Sequence, residues 1–311
     1  MMPAVISLQS VAKRINGKTI IADCDLGLEK NQTLSIVGVN GCGKSILLKI
    51  IAGIINVDSG KIFIDGNSLT RESVKVRRKI CYIPDYIDFD CNLNVYQNLY
   101  VYLKLVSKKT SNEIKHNIYH WSNILGFSHI LYSMISEVEY SKLRLIQISR
   151  ALASSPEYLL IDKPSFGLDS ENKKWLWSLI NTTLKYSTIV YTSYDFNEVE
   201  SYSDRIAFLD KGKIRLNGTI KDIMIKTKSY GYYKLIFKSN ISKKFSSEVR
   251  LNDNLYHVRI KRNEMEFYCS DKKTFFDIFK NSLTHDLLDM QNRPFNFEDV
   301  FLSQTRKYND E

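Results

Sequence analysis

The eight residues Gly38-Val39-Asn40-Gly41-Cys42-Gly43-Lys44-Ser45 restrict what this 311-residue chain can become more than any other stretch. They follow an apolar run, Thr33 to Val37, that reads as a buried strand. They precede Ser45-Ile46-Leu47-Leu48-Lys49-Ile50-Ile51, which reads as a helix buried on most of its faces. A G-x-x-x-x-G-K-[ST] pattern between a strand and a helix is a phosphate-binding loop. The glycines let backbone N–H groups close around phosphate oxygens, and the helix N-terminus adds positive potential. Lys44 neutralises β/γ charge, and Ser45 offers a hydroxyl to Mg²⁺. The candidate nucleotide contacts are Gly38, Asn40, Gly41, Cys42, Gly43, Lys44, Ser45 and Ile46. A tight glycine turn without a ligand would give the same letters, but has no need of this placement.

The second half of such a site is a hydrophobic strand ending in an Mg²⁺-binding aspartate, and Tyr158-Leu159-Leu160-Ile161-Asp162 supplies one. Further short apolar runs, Thr188 to Tyr191 and Arg205 to Leu209, alternate with helical patterns such as Lys173 to Leu184, so an α/β layer fold is expected. Between roughly 92 and 152 strand signals fade, which points to a helical subdomain inserted into a nucleotide-binding domain spanning 1–224. From 225 to 311 the pattern changes to strands at Tyr232 to Phe237, Tyr256 to Ile260 and Met265 to Tyr268 with a helix at Thr274 to Ser282, a small α+β appendage.

Composition narrows the setting. Lys plus Arg outnumber Asp plus Glu by 44 to 34, an excess that favours polyanionic neighbours without choosing among nucleotide, nucleic acid and membrane surface. Five cysteines in no C-x-x-C pair indicate reduced thiols rather than a disulfide framework or zinc cluster. No run approaches the length of a membrane span, and no basic segment opens the chain as a signal peptide would.

Over roughly 4 to 222 these residues resemble the ATP-binding cassette (ABC) family. The likeness extends through Leu47 to Gly53 and Asp58-Ser59-Gly60-Lys61-Ile62. It takes in Ser149-Arg150-Ala151-Leu152 before Pro156, Gly167-Leu168-Asp169, Ser203-Asp204-Arg205-Ile206 and Asp210-Lys211-Gly212-Lys213-Ile214. The stretch Arg293 to Leu302 is similar to the end of cassettes serving multidrug, polysaccharide and gliding-type exporters. The resemblance implies a P-loop NTPase core that binds ATP and Mg²⁺, with Ser45, Asp162 and, third, Asp85 as metal ligands. It implies two cassettes sandwiching two ATP molecules, so that this chain dimerises with itself or another cassette. It also implies that the helical subdomain docks on membrane-spanning transporter subunits, which would place the chain in the cytoplasm, peripheral at the inner face of the membrane.

Against that pattern the chain departs at the positions that carry hydrolysis. Lys163 follows the aspartate strand where a glutamate would position or deprotonate water, and a lysine, with a reference pKa of about 10.4, is no base at neutral pH. Tyr194, in Thr192-Ser193-Tyr194-Asp195, replaces the switch histidine and offers one hydrogen bond without a titrating imidazole. Asp85, in Tyr82-Ile83-Pro84-Asp85, replaces a glutamine and can still meet Mg²⁺. The signature region, Glu137 to Arg144, has no glycine for close approach to a partner's phosphate. Ile15 stands where an aromatic residue would stack on adenine.

Two readings follow: an exporter ATPase that hydrolyses slowly, energising transport within a heterodimer, or a module whose Mg-ATP binding holds a conformation or an assembly while turnover is poor or absent. The second is favoured, because four hydrolysis positions and the adenine aromatic deviate while the loop survives. A soluble cassette acting on nucleic acid is the lesser reading.

Overall fold

In a computed structural model, residues 4–69, 74–226, 231–269, 271–293 and 298–301 are described. The chain divides into two compact units, Met1–Asn217 and Gly218–Glu311.

The first unit opens with an antiparallel hairpin, β1 (Ile6–Ile15) and β2 (Lys18–Leu28). Asn16 and Gly17, both at positive φ, turn it, as an Asn-Gly pair does in tight hairpins. β3 (Thr33–Val37) leads through the glycine loop into α1 (Lys44–Ile51). β4 (Ser59–Ile64) and β5 (Asn67–Ser68) rejoin the hairpin in a sheet of order β2-β1-β4-β5. Next come α2 (Val74–Arg77), β6 (Ile80–Ile83) and the helices α3 (Val95–Val106), α4 (Ser111–Ile124) and α5 (Tyr140–Ser154). The remainder is β7 (Tyr158–Asp162), α6 (Ser170–Thr183), β8 (Thr188–Thr192), α7 (Phe196–Tyr202), β9 (Arg205–Asp210) and β10 (Lys213–Gly218). A second sheet has the order β10-β9-β3-β8-β7-β6, with β9, β3, β8, β7 and β6 paired in parallel.

Every residue of β7 and β8 is buried, as in a parallel sheet covered on both faces, which is why these strands read as unbroken apolar runs. One core gathers Leu47, Leu48, Ile50 and Ile51 of α1 with Leu34, Ile36 and the inner residues of β1 and β2. Another packs Val95, Leu99 and Leu103 of α3 and Ile114 and Ile118 of α4 against α5, β7 and Trp177. Capping boxes fix the starts of two of these helices, Asn94 with Gln97 for α3 and Thr110 with Glu113 for α4. The α/β fold expected from the sequence is the one found; the antiparallel sheet at the N-terminus is an addition to it.

The second unit contains α8 (Ile220–Lys226), β11 (Gly231–Phe237), α9 (Lys243–Arg250), β12 (Leu255–Lys261), β13 (Glu264–Cys269), α10 (Lys272–Leu283) and β14 (Leu287–Arg293). Its strands form an antiparallel sheet of order β12-β13-β11-β14. The change of character that the sequence places at 225 lies inside α8, which belongs with this unit. Phe237, Phe245, Met265 and Phe267 form its core. Fully buried Asp299 accepts hydrogen bonds from Tyr268 and Arg293. Pro294 to Phe297 and Leu302, part of the exporter-like C-terminal stretch, lie outside the described residues. No described helix is long and apolar enough to cross a membrane, and all five cysteines are free.

Candidate functional site

The phosphate loop is shaped by crowding as much as by its turns. A Cβ on Gly38 would lie 2.2 Å from the Leu209 carbonyl oxygen and 2.6 Å from Cys42 Sγ, so only glycine fits under the loop. Gly43 stands at φ 107, and a Cβ there would meet Ile21 Cδ1 at 2.9 Å. Lys44 is buried; its ammonium donates to the carbonyls of Gly38 (2.8 Å) and Val39 (2.9 Å), so the loop satisfies its own cation. Burial pulls Lys44 below the ordinary lysine value, and the like charge of Lys163 adds to the pull against Cys42 and Asp162.

A cleft of about 540 Å³ opens beside the loop, lined by Gly41, Gly43, Lys44, Ser45 and Ile46, by Ile15, Asn16, Lys18 and Ile20 of the β1–β2 hairpin, and by Tyr194. The hairpin contributes the aliphatic Ile15 and Ile20 with the polar Asn16 and Lys18, and the loop contributes the cation Lys44. Sequence reasoning placed Ile15, the loop and Tyr194 in one site, and the fold brings them together. Gly38 and Cys42 lie beneath the loop instead of lining the cleft, and Asn40 is exposed.

At the end of β7, Asp162 is fully buried. Its Oδ1 accepts from Thr192 Oγ1, while its Oδ2 has no hydrogen-bond partner. An orphaned carboxylate oxygen in the interior is costly unless a ligand meets it. That observation fits a bound divalent cation, for which Asp162, the Ser45 hydroxyl and Asp85 would supply the hard oxygen donors that Mg²⁺ prefers. The carboxylate of Asp85 is already engaged: it accepts from Lys163 Nζ at 2.7 Å. That hydrogen bond holds the Lys163 ammonium above the ordinary lysine value, outweighing burial. Lys163 also lies over the Tyr194 ring (5.6 Å), and Lys44 lies over the same ring (4.2 Å). Burial pushes the Tyr194 hydroxyl above its usual value, so it remains a neutral donor. Among the described residues there is no cluster of three or more His, Cys, Asp or Glu side chains set to hold a metal.

Sequence reasoning missed the group that assembles this corner. Arg144 of α5 is buried and forks across it. One arm donates to Pro84 O and Gln147 Oε1 (3.1 Å); the other donates to Asp162 O (2.8 Å) and Lys163 O (3.0 Å). Gln147 donates to Tyr86 O (2.8 Å) and Asp88 Oδ1 (2.7 Å), and Arg150 pairs with Asp88. One side of α5 therefore holds the segment after β6 and the end of β7 together. Glu198 of α7 does the same for two other turns, accepting from Ser165, Ser193 and Trp177 Nε1. The signal for α5 was present in the sequence: Arg144, Gln147 and Arg150 recur at three-residue spacing among Leu143, Ile146, Ile148 and Ala151. At the start of α5, Glu139, Tyr140 and Ser141 are exposed, and Glu139 makes no side-chain cap.

The family described as ABC transporter matches residues 21–165. A molybdate/tungstate import ATP-binding protein of Thermococcus kodakarensis is 31% identical over 229 residues, which is 71% of this chain and 67% of that protein. The chain belongs to the ABC transporter ATP-binding family. A linearmycin resistance ATP-binding protein of Bacillus subtilis is 26% identical over 307 residues, covering 97% of this ABC chain and 98% of its own length. A spermidine/putrescine import ATP-binding protein of Pasteurella multocida is 28% identical over 76% of the chain and 64% of that protein. Among solved structures, an ATP-binding subunit of an ABC transporter superposes with a TM-score of 0.67 over 72% of this chain and 93% of its own, at 21% identity. A dimeric ATP-binding cassette in a post-hydrolysis state with ADP and Pi gives 0.63 over 69% of this chain and 98% of that one, at 21% identity. The chain shares the P-loop ABC ATPase fold of these structures, while the relatives' names span import and resistance.

Proposed function

We propose that this ATP-binding subunit serves an exporter-type ABC transporter, binding Mg-ATP and hydrolysing it poorly, so that nucleotide occupancy holds a conformation or an assembly. In this reading the N–H groups of Gly41, Gly43, Lys44, Ser45 and Ile46 hold the phosphates, Ser45 and Asp162 hold the cation, and Asp85 is a third ligand only when Lys163 releases it. Bound Mg²⁺ would screen the phosphate charge. The chain works as a dimer with itself or another cassette, at the inner face of the cytoplasmic membrane on membrane-spanning subunits. Nucleic acid has no part in it.

One observation carries the reading of poor turnover. At the position of the expected glutamate, Lys163 is a hydrogen-bonded cation with its charge spent on Asp85. Neither member of that pair is free to take a proton from water, and loss of a positioned base costs on the order of 10² to 10⁴ in rate. Export is supported by coverage. The resistance protein is matched nearly end to end, second unit included, whereas the import proteins are matched over 71% and 76% of this chain.

Equilibrium ATP binding beside single-turnover hydrolysis, with and without membrane subunits, tests the proposal. Tight binding without turnover, with binding abolished in Lys44→Ala, is the expected result. Clear turnover that disappears in Lys44→Ala would select an energising ATPase instead.

A further inference from the structure

We propose that Lys163 is a ligand for the terminal phosphate of ATP and the residue that makes this site prefer the triphosphate to the diphosphate. The assignment rests on the reading of the loop as an ATP site and extends it.

The main chain at Lys163 is fixed before any ligand arrives. It stands in the left-handed region at φ 50, its N–H donates to Thr192 Oγ1 (3.0 Å), and its carbonyl accepts from Arg144 (3.0 Å). From this fixed point the side chain reaches the ring of Tyr194. Its ammonium and that of Lys44 both lie over the ring of Tyr194, which puts the two cations no more than about 10 Å apart. Tyr194 and Lys44 are themselves cleft residues. The two cations therefore share one neighbour, the Tyr194 ring, at the cleft.

The two lysines are neutralised in different ways. Lys44 rests on neutral loop carbonyls, whereas Lys163 rests on one carboxylate, Asp85, with both side chains partly exposed. A terminal phosphate carries more charge than a carboxylate and presents three acceptor oxygens, so it competes for the ammonium on favourable terms. Lysine suits such an exchange, because its compact charge rides on a flexible four-carbon stem. ADP offers Lys44 its outer phosphate and has nothing left for a second cation, so Lys163 stays on Asp85. The substitution that removes a base from the site thus installs a clamp for the group the base would have helped to cleave.

Isothermal titration of the purified full chain with Mg-ATP and with Mg-ADP tests this. Lys163→Met is expected to weaken ATP about tenfold, the yield of one charge-assisted hydrogen bond, while ADP changes less than about twofold. Lys163→Arg, which keeps the charge, is expected to retain the preference for ATP. Equal weakening of both nucleotides, no change in either, or an arginine variant that loses the preference as fully as the methionine one would overturn the assignment. A parent chain that binds neither nucleotide, indistinguishable from Lys44→Ala, would overturn the ATP reading and this assignment with it.

Discussion

Replacing Arg144 by methionine removes the group on which the site corner depends while leaving the volume of the side chain nearly filled. Arg144 is 3% exposed, and its guanidinium donates to Pro84 O, Gln147 Oε1, Asp162 O and Lys163 O. Methionine leaves three backbone carbonyls and one amide oxygen without their donor. Hydrogen bonds to a charged group are worth about 1.5–3 kcal/mol each, but they are not additive and the desolvation of the guanidinium is recovered. An acceptor left unsatisfied in the interior costs about 1–3 kcal/mol, and with part of the four re-paired the expected loss is about 3–5 kcal/mol. For a unit of this size each kcal/mol moves Tm by roughly 2–4 °C, so calorimetry should show a fall of about 6–20 °C. Arg144→Lys keeps the charge but cannot fork to both Pro84 and the β7 end, and should recover only part of the loss. A loss below about 1 kcal/mol in Arg144→Met would refute the view that this side chain holds the corner together.

Other outcomes follow from the same geometry. Gly38→Ala places a methyl 2.2 Å from the Leu209 carbonyl, so ATP binding in a titration should be lost even where circular dichroism shows a folded chain. Glu198→Ala strands Ser165, Ser193 and the Trp177 N–H, at an expected cost of about 2–4 kcal/mol in urea unfolding, since each unsatisfied buried donor costs about 1–3 kcal/mol and the hydroxyls can turn elsewhere. Glu198→Gln, which still accepts, should lose clearly less. Asp65 gives a pH test. Burial raises its pKa, but the hydrogen bonds from Lys79 and Tyr158 outweigh it, and the folded value lies below the ordinary aspartate range. Its stabilisation is therefore complete above the unfolded pKa and fades as pH falls through the folded one, below about pH 4. Asparagine tolerates the positive φ at this turn. The Tm gap between parent and Asp65→Asn should thus be open at pH 7 and shrink toward pH 3; a gap that widens in acid would contradict it.

The parallel strands and the loop were legible because their signals are contiguous: β7 and β8 are buried throughout, and an uninterrupted apolar run records that directly. The N-terminal sheet was not. β1 is interrupted by register shifts at Leu8/Val11, Val11/Lys13 and Lys13/Arg14, which break the alternation that marks a strand. β14 is exposed at six of its seven positions, so its sequence carries almost no apolar periodicity. The same divide runs through the site. Lys44, Ser45, Asp162, Lys163 and Tyr194 sit at positions fixed by local motifs. The partnership of Lys163 with Asp85 spans 78 residues, and that of Arg144 with Pro84 spans 60. The first is decided by the pairing of β6 with β7 and the second by how α5 lies on the sheet, and no local spacing encodes either.

The ion pair at the end of β7 also bears on what an exchange of its lysine can do. Exchanging Lys163 alone for glutamate, the change that would restore an acidic group there, sets one carboxylate against another across a distance where 2.7 Å now separates opposite charges. Two such anions cannot both stay ionised at close range. Repulsion of that kind would favour a proton shared between the two groups, so Lys163→Glu together with Asp85→Asn is expected to differ from Lys163→Glu alone in single-turnover hydrolysis. An acid placed at position 163 would thus meet position 85 first, and the two positions are coupled through the contact that now joins them.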